Sequence, residues 1–245
     1  MSFWAGIILE NQVVLLIDRL GVSGDERRFF KSTFFRKFYC KKYHQINSKT
    51  FLLPAGSSYT SGQIGKIICD RFTSKPISGN ALLAFQKEFR EKSKAIWNEV
   101  EPIFSKAVQR VGVGVPNLDC LLAGINPSGR PYLANFNDVT DFVFFVKEDP
   151  GTWIISPMGP LEKEIGEKVR QFVWVAMGLP DQEQALMARK VLWKLVPRLA
   201  MRNRFVSAGH DLIIVSRDGA KFYEPRRLLP WKYKVSEKGG GQSRK

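Results

Sequence analysis

The sequence predicts an α+β fold: a four-layer αββα sandwich of two antiparallel sheets with a helix pair on each outer face. Three observations predict it. β-rich runs come in pairs separated by short polar or Gly-containing turns, as antiparallel hairpins do. Segments with helical spacing also come in pairs, and the strand–helix–strand alternation of a doubly wound parallel sheet is absent. The coarse order ββββ-αα-ββ(ββ)-αα-ββ therefore gives each helix pair a sheet to cover. No internal repeat and no second domain are visible over 245 residues. Residues 1–235 read as one domain and 236–245 as a disordered basic tail.

The elements follow in order. Residues 3–9 and 12–18 are two apolar runs around the polar turn Glu10-Asn11-Gln12, a tight hairpin. Residues 21–36 open with Gly21 and Gly24 and turn basic and aromatic. Residues 37–46 and 50–57 predict a second hairpin around Asn47-Ser48-Lys49. Ile64, Ile67, Ile68 and Phe72 have helical spacing, which predicts a helix over 60–72. A longer helix is expected over 80–110, interrupted or kinked at Pro102. Residues 118–125 and 131–136 predict a hairpin around Asn126-Pro127-Ser128-Gly129, with two more strands at 142–146 and 152–155. Helices are expected over 160–177 and 182–201, with Asp181 and Gln184 as a capping box for the second. Strands at 212–216 and 221–223, joined by Arg217-Asp218-Gly219, close the pattern.

Composition narrows the function classes. A hydrophobic content of 44% suits a chain that buries a core, and no apolar run reaches the ~20 residues of a membrane helix. Cys40, Cys69 and Cys120 are scattered, which predicts neither a disulfide framework nor a metal site and fits a reducing, cytoplasmic setting. No cofactor motif is present, so none is expected. With only His44 and His210, a Ser-His-Asp site is poorly supplied. Thirty-eight Lys and Arg against 23 Asp and Glu leave a net charge of +15, which opens a nucleic-acid reading. No nucleic-acid-binding module signature supports it, and it ranks third. The segment Arg27–His44 interleaves aromatic and cationic residues; residues 34–43 read as a half-buried strand ahead of a surface that docks a partner subunit or an acidic chain or stacks on bases.

Ser2 gives the first strand a chemical possibility. A small hydroxyl residue behind a removable methionine can act as nucleophile while its own α-amine, with an ordinary pKa near 8, takes the proton.

Four places resemble a proteasome subunit of the N-terminal-nucleophile (Ntn) hydrolase superfamily, together covering residues 2–224. Ser2 and Asp18 stand 16 positions apart, the separation of nucleophile and catalytic aspartate in proteasome β subunits. Lys41-Lys42-Tyr43-His44 followed by Leu53-Pro54-Ala55-Gly56-Ser57 is similar to the family's lysine-bearing strand and the strand ending Ala-Gly-Gly. Leu122-Ala123-Gly124-Ile125 with Ser128-Gly129-Arg130-Pro131-Tyr132-Leu133 resembles its central hairpin. Ser207-Ala208-Gly209-His210, continuing to Asp218-Gly219, resembles its terminal one.

The resemblance implies a peptidase or amidohydrolase with Ser2 as nucleophile, Lys42 as the neighbouring cation, Asp18 as the residue that holds it, and Gly56 N–H as oxyanion donor. It also implies Pro54, Ser57 and Ser58 at the substrate rim and Ser207 in support. A peptide or protein substrate and a homo-oligomer or ring would follow. The departures imply the alternative, a catalytically silent structural or binding subunit with an acidic partner. Ile155-Ser156-Pro157-Met158-Gly159 replaces a Gly-Ser-Gly, and Arg204 stands where the family carries an aspartate. Serine also replaces the usual threonine nucleophile.

Overall fold

The computed structural model describes residues 3–23, 36–39, 42–56, 58–73, 77–108, 118–156, 161–202, 206 and 209–223. They form the expected four layers. One five-stranded antiparallel sheet runs in the order β10 (Trp153–Ile155), β1 (Trp4–Ile8), β2 (Gln12–Asp18), β11 (His210–Ser216), β12 (Gly219–Tyr223). The second runs β5 (His44–Asn47), β6 (Thr50–Gly56), β7 (Leu118–Ile125), β8 (Pro131–Asn137), β9 (Phe145–Lys147). Helices α3 (Glu162–Ala176), α4 (Asp181–Val191) and α5 (Leu195–Arg202) cover the first sheet. Helices α1 (Ser58–Phe72) and α2 (Gly79–Val108) cover the second. No helix among the described residues is long and apolar enough to cross a membrane.

Strand alternation builds three apolar layers from these elements. In β1 and β2, Ala5, Ile7, Val14 and Leu16 face α3–α5, whereas Trp4, Ile8, Val13, Leu15 and Ile17 face the other sheet. Phe51, Leu53, Leu121, Ala123 and Leu133 meet them from that sheet. Gly6 lies where the sheets approach closely: a Cβ there would fall 2.5 Å from Leu121 Cδ2 and 2.9 Å from Leu133 Cδ2. On the far side, Ile64, Ile68 and Phe72 of α1 and Leu82, Phe85 and Phe89 of α2 pack on Leu52, Leu122 and Phe136. The rings of Phe89, Phe136 and Phe144 lie 4.6–5.2 Å apart in stacked and edge-on pairs, geometries that favour aromatic contact.

Several boundaries differ from the sequence expectation, each for a local reason. The stretch 37–46 is not one strand. Residues Arg36–Tyr39 form β4 and pair with β3 (Leu20–Ser23) in a separate two-stranded ribbon, and only His44–Asn47 pairs with β6. Most of the basic-aromatic segment, and the tail, lie outside the described residues. Residues 142–144 are not strand. Asp141 and Phe142 adopt positive φ of 59° and 57°, a costly conformation for a phenylalanine. Side chains of α2 hold it: Gln86 Nε2 donates to Phe142 O at 2.9 Å, Phe144 N–H donates to Gln86 Oε1 at 2.6 Å, and Arg90 Nε donates to Asp141 O at 3.0 Å.

The expected second helix over 182–201 is broken by a 3₁₀ turn at Leu192–Lys194. Pro197 has no N–H to give the carbonyl four residues back, and its ring crowds that carbonyl. The capping box is also absent. Pro180 precedes the helix, Asp181 is its first residue, and no side chain caps it. Gln184 is buried, donating to Leu179 O at 2.9 Å and accepting from Gln12 Nε2 at 2.7 Å, which ties the helix to the start of β2. Helix α2 runs through Pro102 to Val108 rather than stopping there.

One carboxylate sits between the sheets. Asp119 is 4% exposed, and its backbone carbonyl accepts from the Trp4 indole at 3.4 Å. Asn135 Nδ2 donates to its Oδ1 at 3.2 Å. Burial pushes its carboxyl from 3.8 up to about 7; the Asn137 and Asn135 amides offset this in part, and the Asp138 charge adds to it.

Two predictions follow from this packing. A Cβ at position 124 would fall 2.2 Å from the Lys49 carbonyl oxygen and 3.0 Å from Thr50 Cα, both backbone atoms. Gly124→Ala is expected to cost about 1–3 kcal/mol, read as a lower urea midpoint at unchanged slope. For Asp119, the folded chain keeps a proton that the unfolded chain has released between 3.8 and about 7, so stability falls as pH rises through that interval. Asp119→Asn is therefore expected to raise stability at pH 8 by roughly 2–4 kcal/mol and to change little at pH 3. Equal effects at both pH values would show that the carboxyl is not held neutral.

Candidate active site

Two of the sequence-predicted residues, Asp18 and Lys42, meet at the end of β2. Asp18 is fully buried there, and two hydrogen bonds, one from its backbone and one to its side chain, clamp it to Phe3 just ahead of β1: its N–H donates to Phe3 O, and Phe3 N–H donates to its Oδ1, both at 3.0 Å. Lys42 Nζ donates to Oδ1 at 2.9 Å and to Oδ2 at 3.1 Å. The lysine side chain is 10% exposed. An ammonium taken this far out of water needs a carboxylate with good geometry, and Asp18 presents both oxygens. Asp18 and Lys42, 24 positions apart, are thus one unit, with the Phe3 amide as a third member.

The neighbouring strand closes this unit from the other side. His210 lies opposite Asp18 in the β2–β11 ladder, with its ring 4.4 Å from Trp193. Arg19 N–H donates to Gly209 O at 2.9 Å. The Arg19 guanidinium meets both carboxylate oxygens of Asp211, a two-pronged ion pair that fixes where β2 leaves the sheet. From the opposite edge, Ser156 takes up Trp4: its Oγ accepts from Trp4 N–H at 3.0 Å, and its own N–H donates to Trp4 O at 2.9 Å. The start of β1 is therefore held on both sides, at Phe3 by Asp18 and at Trp4 by Ser156.

The remaining predicted residues divide as follows. Gly56 ends β6 exposed and with φ of 118°, a conformation glycine adopts freely and other residues resist. Pro54 is buried two residues earlier, opposite Cys120. Its missing N–H does no harm, because β5 pairs with β6 only at 50–52. Ser58 opens α1. Ser2, Ser57 and Ser207 lie outside the described residues, as does Arg204. The sequence reading did not single out Arg19, Asp211 or Ser156 as parts of this site. Their signal in the sequence is weak: Arg19 and Asp211 are 192 positions apart, and Ser156 stands within a departure from the family pattern.

This arrangement can fix a cation next to the Phe3 amide, just ahead of β1, in surroundings shielded from solvent. An ammonium so placed stabilises negative charge developing nearby and lowers the pKa of a neighbouring amine.

No protein-family model matches the chain, and no curated protein does. Solved structures do. A Gly-1 mutant of Anbu from Hyphomicrobium sp. strain MC1 matches at TM-score 0.57 and 16% identity, over 92% of this chain and 88% of that one. A second crystal form of Anbu from the same organism matches at TM-score 0.56 and 15% identity, over 91% and 88%. Anbu has a proteasome-like Ntn-hydrolase fold. At these identities the likeness is one of fold, and the two helix-flanked antiparallel sheets are those of a proteasome-like Ntn-hydrolase sandwich.

Proposed function

We propose that this protein is a proteasome-like Ntn hydrolase, an amidohydrolase or peptidase that uses Ser2 as its nucleophile once Met1 is removed. The observation that carries the reading is the buried Asp18–Lys42 pair with Phe3 N–H on the same carboxylate. Ser2 is bonded to Phe3, and consecutive Cα atoms are about 3.8 Å apart, so the clamp acts one residue from the proposed nucleophile.

In this reading the free α-amine of Ser2 takes the hydroxyl proton as Oγ attacks an amide carbonyl. The Lys42 ammonium favours the neutral amine and faces the developing negative charge. Gly56 N–H donates to the carbonyl oxygen as it becomes an oxyanion. The amine then returns the proton to the leaving nitrogen, and water repeats the sequence to release the acyl group. Asp18 takes no proton; it holds Lys42. Ser207 supports the terminus, and Pro54, Ser57 and Ser58 belong to the rim that receives an extended peptide. The reading further takes residues 1–235 as one domain with a basic tail at 236–245, working in the cytoplasm as a homo-oligomer or ring, with no cofactor.

A second reading, a catalytically silent structural or binding subunit, is favoured by one observation. Arg204 replaces an acidic residue of the family pattern, and a cation there would repel Lys42 rather than orient the terminus.

Intact mass and an electrophilic peptide epoxyketone separate the two. The hydrolase reading expects a mass lower by one methionine and labelling that Ser2→Ala abolishes while circular dichroism is unchanged. Retained Met1 in native protein, or labelling that survives Ser2→Ala, leaves the silent subunit. Labelling is also expected to rise with pH to a plateau below about 8, as an α-amine beside a cation loses its proton. Lys42→Met leaves Asp18 buried without its partner and is expected to cost roughly 3–5 kcal/mol. The double variant Asp18→Asn with Lys42→Met should recover most of that stability and still label at least about 100-fold more slowly than wild type. Recovery of labelling along with stability would show that Lys42 has only a structural part.

A further inference from the structure

The far end of the sandwich carries a second concave site. The hairpin turn at 48–49, the turn Asn126–Gly129 and the turn at 217–218 gather around a hollow of about 540 Å³. It lies at the Thr50 end of β6, whereas the candidate active site lies at the Gly56 end. Six residue steps of roughly 3.3 Å put about 20 Å between them. The volume is that of a small-molecule site rather than of a single ion.

The lining is mixed, with Ile77, Ile125 and Pro127 beside the polar turns, and it carries positive charge. Lys49 and Arg217 both reach it, hydroxyls of Ser48 and Ser128 border it, and no carboxylate lines it among the described residues. The frame is fixed by its own bonds. Asn126 Oδ1 accepts from Arg130 N–H at 2.8 Å and from Ser128 Oγ at 2.7 Å, and Asn47 Oδ1 accepts from Lys49 N–H at 2.9 Å. Gly129, at φ of 80°, lets the Arg217 stem pass where a Cβ would fall 2.3 Å from Nε. Arg217 Nε then donates to Gly129 O at 3.0 Å. This contact holds the guanidinium by one edge and leaves its two terminal nitrogens without a hydrogen bond or ion pair to any described residue. The Lys49 ammonium has none either. Two cations with unused donors on the rim of one hollow that no carboxylate among the described residues lines make an electrostatic trap for an anion.

We propose that this hollow is a binding site for a small phosphate-bearing anion, held by Lys49 and the terminal nitrogens of Arg217. Several charges on the ligand are needed because the two cations come from different turns, and the volume accommodates a chain of phosphates with room for an attached group. Binding here is independent of Ser2 and of the proposed hydrolysis.

The test is calorimetric titration of the full-length protein with inorganic tripolyphosphate, with ATP, and with a single-stranded oligonucleotide. Saturable one-site binding of tripolyphosphate is expected, and tighter binding of ATP would mean that the hollow also holds the nucleoside. Lys49→Gln and Arg217→Gln are each expected to weaken binding about tenfold, and together by more, each having lost a charged hydrogen bond. A control, Lys163→Gln with Lys168→Gln on α3, removes the same charge elsewhere and is expected to leave affinity within about twofold, as screening of distant charges requires. No saturable binding, equal loss in the control, unchanged affinity in the double variant, or binding of the oligonucleotide alone would each overturn the proposal.

Discussion

The two faces of β1 and β2 feed different cores, and the rest of the molecule depends on that division. Every residue of both strands is buried, so hydrophobicity alone fixes no register; a slip of one residue would exchange one apolar layer for another of similar character. What fixes it is a small set of unlike groups. Gly6 must meet Leu121 and Leu133, Gln12 must reach Gln184, and Asp18 must receive Phe3 N–H. Each would lose its partner in a slipped pairing, and a buried polar group without a partner costs about 1–3 kcal/mol. The carboxylate that organises the candidate site is thus also one of the pins of the fold.

Three buried acids near this end of the sandwich are handled in three ways. Asp18 faces a lysine and a backbone N–H, and Asp211 faces an arginine from two sides. Asp119 is hydrogen-bonded by neutral amides with the Asp138 charge nearby, and it answers burial by holding its proton up to about 7. Burial is nearly complete for all three, so what distinguishes them is the partner each one faces. It also separates roles: the first two tie the chain to basic side chains, while the third is tolerated between the sheets because it is neutral through much of the acid range.

The hairpins and helix pairs were legible because their punctuation is local. Glu10-Asn11, Asn126–Gly129 and Arg217–Gly219 turn the chain whatever surrounds them, and the 3.6-residue spacing of Ile64, Ile68 and Phe72 needs no tertiary knowledge. The ribbon of β3 and β4 was not legible, since alternation marks a strand without naming its partner. Nor was the turn at Asp141 and Phe142, whose positive φ is imposed by Gln86 and Arg90 on α2. The break near Pro197 was not legible either, since the helix expected over 182–201 carries apolar residues on both sides of it. For the site, spacing against a known family brought Asp18 and Lys42 together. Arg19 with Asp211, and Trp4 with Ser156, are pairs that only the folded chain assembles.

The strand orders carry a consequence for timing. The second sheet is drawn from one continuous stretch, His44 to Lys147, together with the two helices that cover it. The first sheet joins the opening strands to residues 153–155 and then to 210–223, so its central pairing of β2 with β11 spans nearly the whole chain. On a ribosome, the second sheet has all its strands while the first still lacks its closing hairpin. Gly209, His210 and Asp211, which enclose the end of β2, are among the last described residues to be synthesised. The surroundings of Asp18 are therefore completed only once residues 209–211 have joined the fold, and a chain cut short before position 209 cannot enclose its own site.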